Sequence, residues 1–282
     1  MAGIYVNDEG TWKLPKSIWI NQLGTWRVCR NVYANSGGAW KELIKSVNIT
    51  SNQSTFNLYE YLGSPAQALS VIVNVSSGVE IFSSDTPYRN YQKRETAFTV
   101  GNFPSGSTVI INNNGYISGG GGWGGDGQYY VNRSNYNPYN GFAGGDGIVK
   151  GSSNNYDCTI VNTGTIAGGG GGGAGGQSRY VCPPQPTSIY TSGCSTVNGN
   201  TGGDGAGITG ASRTQGGSPV TTIPNQRGEP NTATGGFGGG LGSAGSGNGQ
   251  TGSYARTGGA GGKAIGSGIN IATSGTIIGA VG

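Results

Sequence analysis

Side chains able to do covalent or acid–base chemistry are scarce in this sequence. No histidine occurs among its 282 residues, which removes the imidazole partner of Ser-His-Asp and Cys-His pairs and a common metal ligand. Twelve Asp and Glu remain. In the second half of the chain only Asp126, Asp146, Asp157, Asp204 and Glu229 could supply the paired carboxylates of a glycan depolymerase. Three of them, Asp126, Asp146 and Asp204, recur inside a Gly-Gly-Asp-Gly tetrad, a repetition that reads as structural hydrogen bonding. Gly262-Lys263 is followed by Ala264, so the phosphate-loop pattern fails. The expectation is a non-enzyme without cofactor or metal. Cys29 and Cys158 stand alone in strand-like stretches as buried thiols. Cys182 and Cys194 could bridge, a closure worth ~3 kcal/mol in the chain-entropy model, although synthesis in the cytosol would leave them reduced at first.

Recognition chemistry is better supplied. The segment 128–140 carries Tyr129, Tyr130, Arg133, Tyr136 and Tyr139, and 177–200 carries Arg179, Tyr180 and Tyr190. Arg213 and Arg227 lie in 211–234, and Tyr254 and Arg256 in 253–256. Tyr and Arg supply large contact area for little rotamer entropy, and Asn and Ser among them supply adaptable hydrogen bonds. These twelve residues are the expected binding surface; solvated connections are the plainer alternative. A net charge of +4 with no basic run of four argues against nucleic acid. No apolar run approaches the ~20 residues of a membrane span, and the first residues lack a signal peptide's pattern.

Something must hold such loops. Of the 60 glycines, residues 1–100 contain seven and the remainder 53. The later ones gather in runs at 119–127, 141–147, 168–176, 202–210, 235–249 and 258–268. A flexible linker is one reading of this composition. Trp123, Phe142 and Phe237 inside the runs argue for order instead. Polyglycine II would give it: three residues per turn, no internal hydrogen bonds, and backbones close enough to bond sideways. Two of the runs leave directly from short cassettes, 110–119 and 159–168, with a third cassette at 269–279. Each reads as strand, Asn- or Ser-Gly turn, strand: a hairpin. Residues 46–110 read as a small antiparallel β connector.

The N-terminus repeats at a period of 14. An aromatic recurs at 5, 19 and 33, Asn at 7, 21 and 35, Gly at 10, 24 and 38, Trp at 12, 26 and 40, and a cation at 13, 27 and 41. Three hairpins are expected, since Asn and Gly tolerate the backbone of a tight turn. Packed together, their Trp residues could form a miniature core. Arranged about an axis, three equal hairpins would match a trimeric fibre, with Tyr5, Trp12, Trp19, Trp26, Tyr33 and Trp40 as anchors.

Glycine runs alternating with aromatic loops behind a Trp-bearing N-terminal segment resemble the long-tail-fibre adhesins of T-even-type bacteriophages. The stretch Phe56-Asn-Leu-Tyr-Glu-Tyr-Leu-Gly-Ser-Pro65, with 105–119, is similar to tail-fibre and tail-tip receptor-binding proteins of other phages. That resemblance implies a cap on the distal end of a trimeric tail fibre, a polyglycine II sandwich, and loops that touch a bacterial outer-membrane protein or surface glycan. The expected fold is all-β plus polyglycine II. The expected organisation is an attachment module over 1–45, a connector over 46–110 and a receptor-binding domain over 111–282. An ice-binding or extracellular structural glycine-rich protein is the rival reading; it would want a flat regular face and short loops.

Overall fold

The computed structural model describes residues 44–83, 95–125, 139–152, 155–176, 206–207, 235–248, 255–273 and 275–282 in full. It describes the backbone of strands within 6–43 and at 129–131, 134–136, 179–181 and 195–197. Among these residues the protein is almost entirely β, with one short helix, Leu58–Tyr61.

The 14-residue repeat folds as three hairpins with one register. Val6–Asp8 pairs with Thr11–Lys13, Trp19–Gln22 with Thr25–Val28, and Asn31–Ser36 with Ala39–Ile49, all antiparallel. Asn7 faces Trp12, Asn21 faces Trp26 and Asn35 faces Trp40. Two residues separate each closing pair, the second always glycine, as a two-residue hairpin loop requires.

Strand Ala39–Ile49 then continues into a different architecture. Its second half pairs in parallel with Ser70–Val75, which pairs with Thr108–Asn113, then Asp157–Asn162, then Asn270–Thr273. A second parallel sheet stacks Gln53–Ser54, Glu80–Phe82, Tyr116–Ser118, Thr165–Ala167 and Thr276–Ile278. A third stacks Phe56–Asn57, Phe98–Thr99 and Ile148–Val149, continued by single bridges to Ile265 and Val281. The chain thus winds as a three-sided coil of five rungs, each rung giving one segment to each side. Parallel neighbours need a long crossover, and here the other two sides of the rung provide it. The antiparallel connector expected over 46–110 is therefore corrected to parallel rungs. The three cassettes are not hairpins either: the two strands of each belong to different sheets.

Alternation explains the packing. Along Ser70–Val75, Thr108–Asn113 and Asp157–Asn162 every second residue is buried, and register stacks like on like. Val47, Val73, Ile111, Ile160 and Ile271 form one column, and Ile81, Ile117, Ile166 and Ile277 another. Phe56, Phe98, Ile148 and Ile265 line the third side. At the corner between the first two sides, buried Asn113 donates to Asn162 (2.8 Å) and accepts from the Gly115 N–H (3.1 Å). Gly164 and Gly275 complete that corner because a Cβ on either would meet the backbone of the rung before. An outer ladder, Asn48–Asn74–Asn112, adds two 2.9 Å amide bonds.

The glycine runs leave from another corner, between the second and third sides. Run 119–125 prolongs Tyr116–Ser118 outward, and 139–147 returns to Ile148–Val149. In the next rung 168–176 prolongs Thr165–Ala167, and 255–264 returns to Ile265. Outgoing neighbours keep the parallel ladder of the sheet they leave: Gly119, Gly122 and Gly125 N–H donate to Ala167, Gly170 and Gly173 carbonyls.

A three-residue period governs the interior. Along 168–175, the N–H groups of Gly171 and Ala174 donate to Ser243 and Ser246, and those of Gly169, Gly172 and Gly175 to Gly145, Phe142 and Tyr139. Gly170 donates to Ala206. Its carbonyls accept on the same beat: Gly168, Gly171 and Ala174 from Gly242, Gly239 and Gly236, and Gly169 and Gly172 from Gly262 and Gly259. Six segments therefore surround this central run. They are bonded in turn to one another, as in Phe142 to Trp123, Gly144 to Ala260, Gly245 to Gly259, Ser246 to Phe237 and Ala206 to Gly239. A Cβ on Gly171 would overlap the Gly259 carbonyl, and one on Gly172 the Trp123 carbonyl. Here the composition is a steric requirement.

Candidate functional site

The end of the lattice away from the coil is where the loop-bearing stems meet. Gly125 N–H donates to the Gly173 carbonyl (2.8 Å), and Gly175 N–H to Tyr139 (2.9 Å). Gly236 N–H donates to Ala174 (2.7 Å). Segments 126–138 and 249–254 begin and end at this level, and 177–205 begins and 208–234 ends there, whereas Ala206 and Gly207 between the last two lie beside Gly170 and Gly120, nearer the coil.

Two asparagines lock it. Asn248, 4% exposed, donates from Nδ2 to the Gly175 carbonyl (2.9 Å) and accepts at Oδ1 from the Arg256 N–H (3.2 Å). Its own N–H donates to the Arg256 carbonyl (3.2 Å). Asn140 accepts at Oδ1 from the next amide, Thr257 N–H (3.1 Å), while Gly141 N–H donates to the Thr257 carbonyl (3.0 Å). Burying an amide side chain is tolerable because its polar atoms find partners.

On this platform Tyr139 is 41% and Phe237 60% exposed. Arg256 is partly exposed, with Nη1 donating to the Ala255 carbonyl (2.7 Å). Of the other expected binding residues, Tyr129 pairs with Tyr136 across a small antiparallel hairpin that also contains Tyr130. Arg179 and Tyr180 lie on Arg179–Val181, antiparallel to Ser195–Val197. Val181 faces Ser195, so these strands stop one residue short of Cys182 and Cys194, which fall outside the described residues. So do Arg133, Tyr190, Arg213, Arg227 and Tyr254. The anchors Trp12, Trp19, Trp26, Tyr33 and Trp40 lie on hairpin strands described by backbone, and Tyr5 falls outside.

The structure explains several groups that could be mistaken for chemistry. Asp146 accepts from the Lys263 N–H (2.7 Å), which accounts for one tetrad carboxylate as a tie between returning runs. Cys158 is buried in the coil, and burial pushes its thiol up to about 12, with nearby Lys150 opposing. Such a thiol is inert as a nucleophile. Tyr156 is raised as well, mainly by burial and then by Cys158, and its hydroxyl donates to the Gly101 carbonyl (2.6 Å). Lys150 Nζ donates to the Tyr156 carbonyl (2.6 Å) and sits 4.2 Å from the centre of its ring. Among the described residues no group of three metal-ligating side chains forms, and no helix is long and apolar enough to cross a membrane.

Asn140, Asn248 and Phe237 were not singled out as site residues by sequence. The two asparagines do carry a signal: each is an Asn-Gly step at a border between run and loop.

Comparison with known proteins agrees with this architecture. The family described as phage tail fibre adhesin Gp38 matches residues 45–282. The crystal structure of the gp37-gp38 adhesin tip complex of the bacteriophage S16 long tail fiber aligns with a TM-score of 0.52 at 21% identity, over 86% of this chain and 83% of that one. At that identity the likeness concerns the fold. No match is found among the curated proteins.

Proposed function

The chain belongs to the phage tail fibre adhesin family, and from that premise we propose that it caps the distal tip of a tail fibre and recognises a bacterial surface receptor through loops raised on the glycine lattice. The observation that carries this reading is the convergence of four loop-bearing stems on one platform opposite the coil. A lattice that spends so many glycines on rigidity, each costing ~0.5–1 kcal/mol relative to Ala in regular structure, is suited to holding contact residues still. Tyr139 and Arg256, which stand on the lattice itself, then bind at a reduced ordering cost. The three-residue hydrogen-bond period supports the polyglycine II reading of the runs. Membership of an adhesin family makes the role one of binding.

The division of labour follows the chain. Residues 1–45 mount the protein on a trimeric fibre, with Tyr5, Trp12, Trp19, Trp26, Tyr33 and Trp40 as anchors; 46–110 connect; 111–282 face an outer-membrane protein or surface glycan. The common register of three hairpins supports the symmetric mounting, and the S16 complex provides a precedent for a fibre partner.

The test is binding of purified protein to a panel of bacterial strains, with a variant whose segments 129–136 and 179–197 are replaced by Gly-Ser turns. The reading expects the parent to bind some strains and the folded variant none. Equal binding by both would make the loops mere connections, and the ice-binding or structural alternative would take their place.

A further inference from the structure

We propose that Asn140 and Asn248 are positioning residues that fix the receptor-binding geometry of three loops through the backbone of Arg256 and Thr257. This rests on the adhesin reading above and deepens it.

Two adjacent amides are held by the two side chains. Arg256 N–H is accepted by Asn248 Oδ1 and Thr257 N–H by Asn140 Oδ1. Successive N–H groups of an extended chain point in different directions, so one dipeptide is held from two sides by two stems. Asn140 ends the loop that precedes run 141–147, and Asn248 opens the loop of 249–254. Through Nδ2 Asn248 also grips the Gly175 carbonyl, one residue before run 168–176 gives way to its own loop. Three loop stems are thereby tied at a single point, and Arg256, which reaches the surface, stands at that point.

Elsewhere the lattice bonds mostly by backbone, with Asp146 on Lys263 N–H and Ser246 on Phe237 N–H as the side-chain ties below the rim. Backbone bonding alone would let one stem shift past another by three residues and recover its pattern. Side chains at the rim remove that freedom, because Asn140 holds Thr257, and Asn248 holds Arg256 and Gly175, each at one height. The clamps therefore set the register of the stems, and loops of any sequence grafted between them keep the same footing.

The experiment is hydrogen exchange read at single amides, alongside strain binding, on the full chain and on Asn140→Ala, Asn248→Ala and Asn140→Asp. Loss of one hydrogen bond worth about 1.4 kcal/mol should speed exchange about tenfold at Thr257 in Asn140→Ala and at Arg256 in Asn248→Ala. Gly171 and Gly172 should stay protected, which shows the lattice intact. Both alanine variants should bind bacteria about tenfold more weakly, and Asn140→Asp, which retains the acceptor, should bind nearly as the parent does.

Parental exchange rates at both amides would overturn the clamp, whatever the binding data show. Faster exchange with undiminished binding, when the loop-replacement variant binds nothing, would overturn the positioning role and leave the adhesin reading standing. A parent that binds no strain would overturn the adhesin reading together with the receptor half of this inference, while the exchange rates would still decide the clamp.

Discussion

Ile160 in the coil and Gly172 in the lattice are both buried, and they are held by opposite means. Ile160 sits in a column of side chains between Ile111 and Ile271, and its burial removes apolar surface from water. Gly172 has nothing to bury. Its N–H donates to Phe142, its carbonyl accepts from Gly259, and the Trp123 carbonyl occupies the space where a Cβ would stand. A side-chain core is adaptable because rotamers and neighbours shift to meet a change. A backbone core has no such slack. The coil can drift in sequence while remaining apolar inside, whereas the lattice must remain glycine wherever a Cβ would meet a neighbouring carbonyl, with Ala174 and Ala206 marking inner positions where a methyl fits.

The sharpest way to break this comparison is Gly172→Ala. One methyl group must displace the Trp123 carbonyl and with it the neighbouring run, so the variant should lose the lattice altogether: near-complete loss of amide protection over 168–175, with coil amides at 109–111 still slow. A stable variant with native protection would refute the backbone-core account. Ile160→Ala should cost about 2–5 kcal/mol in denaturant unfolding, the ordinary range for a buried aliphatic truncation, and leave the lattice folded. An Ile160 effect greater than that of Gly172 would invert the comparison.

Alkaline pH separates the two regions more gently. Cys158 holds its proton up to about 12 in the folded coil, against roughly 8.5 for a free thiol. The unfolded chain therefore releases that proton first as pH rises. The stabilisation is full below about pH 8.5 and declines above it, by on the order of 1 kcal/mol or more at pH 10. The coil's melting temperature should fall over that range, and Cys158→Ala should flatten the early part of the decline.

Sequence made some of this plain and hid the rest for physical reasons. The three hairpins were legible because Asn, Gly and Trp recur at one spacing, and a two-residue turn fixes register locally. Of the expected run 202–210 only 206–207 lie within the described residues, while the runs that hold Trp123, Phe142 and Phe237 were legible as ordered because of those residues. The direction of strand pairing was not: an alternating strand such as Thr108–Asn113 looks the same whether its partner runs parallel or antiparallel. The clue lay in the recurrence of the cassettes themselves, which four rungs share if 70–82 is counted with them. Repeated strand–turn–strand units can stack as well as fold back. Asn140 and Asn248 escaped because their partners are backbone groups between 8 and 117 residues away in sequence, and a backbone partner leaves no trace in residue type.

The corner from which the lattice grows has a mechanical consequence. Runs 119–125 and 168–174 leave the coil side by side and in the same direction, and the loops lie at their far ends. A force applied at those ends along the runs acts across rows of backbone bonds that must yield together. The same bonds pulled sideways would open one by one. On the proposed reading, in which the loops hold the receptor, a load along the runs meets the most resistance and a sideways peel the least.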